Sequence, residues 1–123
     1  MFDVADDGQT IEGVRRGFAD LLVDVKRGRF PIAESIDLHG LHFDEAKGTL
    51  LRLARNVRGA GRRLALVVHG KGTHSSGGRG VLRDEMASWL SSPPLAQHVL
   101  CFATASAEHG GSGATYVLFA PKR

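Results

Sequence analysis

Asp37 and His39, in the run ESIDLHG, and His69, which ends RRLALVVH, are the residues of this chain best suited to chemistry. An aspartate two residues before a histidine shares its side of an extended strand, because strand side chains alternate. From there a carboxylate can orient an imidazole, select its tautomer and raise its basicity. Glycine follows each histidine, as Gly40 and Gly70, so the chain can turn at once and leave its backbone open to a ligand. Both apolar segments therefore end in an imidazole, and ligand sites in open parallel sheets form beyond the carboxyl ends of strands. The two His-Gly pairs are expected at one rim.

The second segment continues as GKGTHSSGGRG and runs into a helical pattern. Free backbone N–H groups and the positive end of the following helix dipole favour an anion there. Lys71, Arg79 and the Ser75 and Ser76 hydroxyls add cationic and polar contacts, with Gly70 and Gly72 opening the backbone. The spacing is not that of a nucleotide P-loop, which needs G-x-x-x-x-G-K-[ST], nor is there a G-x-G-x-x-G after a first strand. A phosphodiester is the better anion. A third run, HGGSGAT, adds His109 with Gly111 and Gly113; its place in the site depends on where the last strands end. Duller roles compete. Asp37 suits a turn or a helix cap, His42 and His98 suit surface or packing positions, His74 a spectator and His109 a structural part.

Strand and helix patterns supply the frame. TIEGVRRGFADLLVDVKR, residues 10–27, spaces Ile11, Val14, Phe18, Leu21, Leu22 and Val25 as one face of an amphipathic helix, although Gly13 and Gly17 weaken it. Residues 1–32 read as an N-terminal extension carrying this helix, and 33–123 as the compact domain. In the latter, ESIDL is a short strand, and the helix after it buries Ala46, Leu50, Leu53, Ala54 and Val57. RRLALVVH is a strand of the kind buried in a parallel sheet. Leu82, Met86, Trp89 and Leu90 form one face of a second helix, ended near Pro93-Pro94; HVLCFATASA and ATYVLFA are strands. The order β-α-β-α-β-β predicts an α/β (α+β) two-layer sandwich with a mixed four-stranded sheet, its first strands parallel and its last two an antiparallel hairpin.

Composition narrows the partners. The chain has 123 residues, 42% hydrophobic and 24% charged, as an ordinary globular domain does. Its one cysteine, Cys101, excludes a disulfide framework and a cysteine-rich zinc site and fits a reducing compartment. The acidic N-terminus lacks the pattern of a signal peptide, and no apolar run is long enough to span a membrane, so a cytoplasmic protein is expected. The first twelve residues carry four acids and no base, leaving 16 basic and 9 acidic residues in the remainder. That basic body suits a polyanion, nucleic acid first.

IDLHG, VVHGKG and HGGSGATYVLF, in this order and separated by two helices, resemble the small MutS-related (Smr) domain over residues 30–121. The RGRFPIAESIDLHG lead-in resembles that of stand-alone bacterial members. The resemblance implies a fold like the C-terminal domain of translation initiation factor three and an endonuclease that nicks DNA or cleaves RNA, linked to repair, recombination or ribosome rescue. It places Asp37, Leu38 and His39 in the active motif and His69, Gly70, Lys71 and Gly72 in the second; Ile36 stands where the family normally has leucine. ATP-driven mismatch recognition is not expected, since the ATPase and clamp regions of large relatives are missing.

On these residues His39 is expected as general base on water or on a 2′-hydroxyl, and His69 as proton donor to the leaving oxygen or as a group stabilising charge on the phosphate. Lys71, Arg79 and the loop glycines, with Gly111 and Gly113, are expected to hold the phosphate. Asp37 is a candidate ligand for a stimulatory magnesium or manganese ion, though one carboxylate is a thin site for magnesium. The alternative is a module that binds nucleic acid or ribosomes without cutting. An unrelated hydrolase is disfavoured, because GGSGAT lacks the spacing of a nucleophile elbow.

Overall fold

The run Arg63–Val68, apolar after its first residue, lies inside a sheet with a partner on each side. The computed structural model describes residues 1–57, 61–71 and 82–121. Six strands are β1 (Phe2–Asp6), β2 (Ile11–Arg15), β3 (Ile32–Asp37), β4 (Arg63–Val68), β5 (Val99–Thr104) and β6 (Ala114–Phe119); three helices are α1 (Ala19–Lys26), α2 (Phe43–Asn56) and α3 (Leu82–Leu90). The sheet order is β1-β2-β5-β6-β4-β3. Only β3 and β4 pair in parallel, joined through α2; the other neighbours are antiparallel. The α+β fold with a mixed sheet thus holds, with six strands where four are expected.

The two additional strands come from residues assigned by periodicity to a helix, and from those just before it. Only Ala19–Lys26 of the stretch 10–27 is helical; Ile11–Arg15 is β2, paired with β1 and β5. The spacing misleads because this part of the sheet is covered on both faces. Ile11 belongs to one apolar cluster and Val14 to the other, as alternation requires of residues three apart on a strand. Gly13, which weakens a helix, is needed in the strand: a Cβ there would lie 2.3 Å from Cζ of the buried Phe102 ring on the paired strand. The reversal between β1 and β2 is built by Asp7, whose Oδ1 accepts from the N–H groups of Gln9 (2.8 Å) and Thr10 (2.7 Å). Those bonds favour the carboxylate and hold its pKa below the ordinary aspartate value.

The helices divide between the faces. α2 buries Ala46, Leu50 and Ala54, and α3 buries Leu82, Met86, Trp89 and Leu90, against Leu38, Val67, Phe102 and Val117. Each of the larger side chains contributes about 1.5–3 kcal/mol by leaving water. α1 sends Leu22 and Val25 to the opposite face, against Leu100 and Ala103. Lys26 anchors it to β2 through Glu12, at 2.6 Å. No helix among the described residues is long and apolar enough to cross a membrane.

Candidate functional site

Parallel pairing of β3 with β4 brings the ends of the first two segments level. Asp37 lies opposite Val68, and the Leu38 N–H donates to the Val68 carbonyl at 2.7 Å. Leu38 is fully buried, which pins the end of β3 to the core while Asp37 and His39 remain exposed. Beyond it the chain turns: Leu41 N–H donates to Leu38 O at 3.0 Å, with Gly40 at φ +84°. The Asp37 carboxylate accepts from the backbone N–H of His39 at 2.9 Å. It therefore organises the turn that carries His39, and no Asp37–imidazole hydrogen bond is present among the described residues.

β6 brings in the third segment. Because it runs antiparallel to β4, its first residue, Ala114, lies opposite Val68, the last of β4. The preceding Gly113 carbonyl accepts from both the His69 N–H (2.9 Å) and the Gly70 N–H (3.0 Å). A Cβ on Gly113 would lie 3.2 Å from Lys71 Cγ, so the third segment presses against the second. A Cβ on Gly70 would lie 3.9 Å from His39 Cδ2, so the first and second meet at that glycine. Gly70 also adopts φ +89°, a conformation that side chains with a Cβ rarely enter. The rim thus collects Asp37, His39, Gly70, Lys71 and Gly113.

His69 stands behind this rim, only 6% exposed. Its Nδ1 lies 2.9 Å from the Gly70 carbonyl and its Nε2 lies 2.9 Å from Thr115 Oγ1. A carbonyl has no proton to give, so Nδ1–H donates to Gly70 and Nε2 accepts from the Thr115 hydroxyl. Burial pushes the His69 pKa below the ordinary histidine value; the Gly70 carbonyl opposes this shift, and the nearby Arg83 charge reinforces it. The ring is neutral near pH 7, with both nitrogens engaged, and it ties β4, the Gly70 turn and β6 together.

The loop glycines are less open than their spacing implies. Gly70 N–H donates to Gly113 O, Gly111 N–H to Ser106 O at 2.9 Å, and Gly113 N–H to Gly110 O at 3.0 Å. These three amides are committed to the turns they build, and Lys71 is exposed beside them. Gly72 and Arg79, with His74, Ser75 and Ser76, lie outside the described residues. His109 Nδ1 is 2.6 Å from the Tyr116 hydroxyl, which also lies 2.9 Å from Ser106 Oγ, so this histidine serves the turn before β6. Thr115 escapes a reading by residue type because it looks like any strand threonine; its signal is a small hydroxyl residue buried within ATYVLF. Among the described residues, no three His, Cys, Asp or Glu side chains gather as a metal site.

Comparisons with known proteins agree on one family. A profile of the Smr domain matches residues 36–120. The probable DNA endonuclease SmrA of Escherichia coli K12 is 30% identical over 106 residues, covering 86% of this chain and 54% of the relative. The ribosome rescue factor SmrB of Aeromonas hydrophila is 34% identical over 97 residues, covering 79% and 51%. The chain thus spans about half the length of these curated relatives. The crystal structure of YdaL, a stand-alone small MutS-related protein from Escherichia coli, superposes with a TM-score of 0.64 at 28% identity, covering 92% of this chain and 85% of that one. The rim of three meeting segments lies within the matched residues, and the chain belongs to the Smr domain family.

Proposed function

We propose that the chain is a nucleic-acid endonuclease that cleaves phosphodiester bonds with weak sequence specificity, acting in the cytoplasm on DNA or RNA. The observation that carries this reading is the rim itself: an exposed imidazole, an exposed carboxylate and an exposed lysine gathered where three segments meet around Gly70. His39 has the exposure a general base needs to reach water or a 2′-hydroxyl. Asp37 fixes the turn from which that ring projects. Lys71 offsets the charge that grows on the phosphate in the transition state. His69 holds the second segment in place in this reading, because its nitrogens are committed to Gly70 and Thr115. Its Nδ1–H would have to leave a carbonyl to serve as a proton donor. The matched relatives include a probable DNA endonuclease and a ribosome rescue factor, which supports a nucleic-acid or ribosomal target.

Among the described residues no three His, Cys, Asp or Glu side chains gather as a metal site. The second reading, a module that binds without cutting, draws on the same basic body and exposed lysine. A cleavage assay separates them. Supercoiled plasmid and end-labelled structured RNA are incubated with the purified chain in magnesium, manganese or chelator. Cuts that persist in chelator fit the histidine mechanism, and cuts that need an ion bring Asp37 forward as its ligand. Salt-sensitive binding of both substrates with no cut in any lane removes the nuclease reading and leaves the binding module.

A further inference from the structure

A cavity of about 140 Å³ opens beside the rim, on the sheet face that carries α3, and residues from both ends of the chain line it. His69 and Thr115 form one wall, and His69 directly precedes Gly70 of the rim. Asp6 and Gln9 enter from the β1–β2 turn, Arg83 and Asp84 from the first turn of α3, and Ser112 from the third glycine-rich segment. The turn is firmly placed. Asp7 closes it from within, and Thr104 Oγ1 on β5 accepts the Ile11 N–H at 2.8 Å where it rejoins the sheet.

The chemistry of the lining discriminates among occupants. A phosphate would meet Arg83 but also the carboxylates of Asp6 and Asp84, which repel it. Arg83 is itself 4.0 Å from Asp84, so its charge is partly answered. A neutral planar group with donors and acceptors along its edge suits the mixture better. The Gln9 amide and the Ser112 hydroxyl have no hydrogen-bond partner among the described residues, so both can serve such an edge. We infer that this cavity is a nucleobase pocket, which takes an unstacked base from the strand whose phosphate lies at the His39–Lys71 rim; the identification rests on the nucleic-acid reading above. Proteins that act on unpaired strands commonly hold a splayed base in this way and read its edge by hydrogen bonds. Asp6 and Gln9 lie outside the matched residues 36–120, so the N-terminal hairpin supplies the part of the reader that the domain lacks.

The test is independent of cleavage. The full chain, isotopically labelled, is titrated with each of the four nucleoside 5′-monophosphates, with ribose 5-phosphate and with inorganic phosphate, while resonances of Gln9, Thr104 and Ser112 are followed. The pocket predicts shifts at these residues with one or more nucleotides and none with the two base-free phosphates. Gln9→Ala, whose backbone N–H still reaches Asp7, and Ser112→Ala should each weaken the nucleotide by roughly two- to tenfold, the range for one lost neutral hydrogen bond. Shifts caused equally by ribose 5-phosphate or phosphate, an unchanged affinity in both variants, or no shift with any nucleotide would each overturn the inference. A chain that binds nucleotides here but cuts no polymer loses the nuclease reading and keeps the pocket.

Discussion

Thr115→Val tests whether His69 is a structural tie between the Gly70 turn and β6. Valine keeps the shape and strand preference of threonine but cannot donate to Nε2, and both residues are buried, at 1% and 6% exposure. Loss of the 2.9 Å bond orphans Nε2, at a cost of about 1–3 kcal/mol. For a chain of 123 residues the unfolding entropy is about 0.26 kcal/mol/K, which converts that loss to a Tm lower by about 4–12 °C. The pH dependence has a definite sign. His69 has its pKa lowered below 6.5 in the folded chain, so the unfolded chain binds the extra proton. Its contribution is therefore fully present above pH 6.5 and is lost as pH falls through the folded value. The influences on that pKa, burial first and then the opposing Gly70 carbonyl and the Arg83 charge, all remain in the valine variant, so the acid loss should persist while the stability at neutral pH falls. Urea unfolding of wild type, Thr115→Val and Thr115→Ser at several pH values reads both effects, with serine retaining the bond. A valine variant within about 0.5 kcal/mol of wild type at neutral pH would refute the assignment.

Two other perturbations probe the frame. Gly13→Ala puts a methyl against the Phe102 ring, where a Cβ would lie 2.3 Å from Cζ, and overpacking of this kind costs about 1–3 kcal/mol; the urea midpoint should fall, and Phe102→Leu in the same chain should recover part of the loss. Burial pushes the Cys101 thiol up to about 12, so iodoacetamide at pH 8 should leave the native chain unmodified and label it rapidly once urea unfolds it.

The parts of the fold legible in the sequence are those where one signal has one meaning. β4 reads as a buried strand and α2 as an amphipathic helix because a short continuous apolar run and a 14-residue segment with a 3.6-residue face each suit a single kind of element. Ile11–Arg15 does not read correctly because a strand buried on both faces has no alternation to reveal it, and its apolar spacing imitates a helix. The decisive residue there is Gly13, whose close neighbour, Phe102, is distant in sequence. At the site, the meeting of His39 with Gly70 follows from two strands that end alike, and Gly113 joins them because β6 is antiparallel to β4. Which imidazole faces water is invisible in the sequence. His39 and His69 have the same Leu-or-Val-His-Gly setting, yet His69 is buried and bonded to Thr115, 46 residues further along.

In the proposed reading His39 carries the chemistry at a rim whose other groups would bind the substrate. Single-turnover cleavage and equilibrium binding of one labelled substrate, by wild type and His39→Ala at a single stated salt concentration, separate those two roles. The cleavage rate should fall by about 10²–10⁴-fold, the range for a lost general base, with affinity unchanged within about twofold. Cleavage that survives the substitution at the wild-type rate would contradict the assignment of His39 as the base.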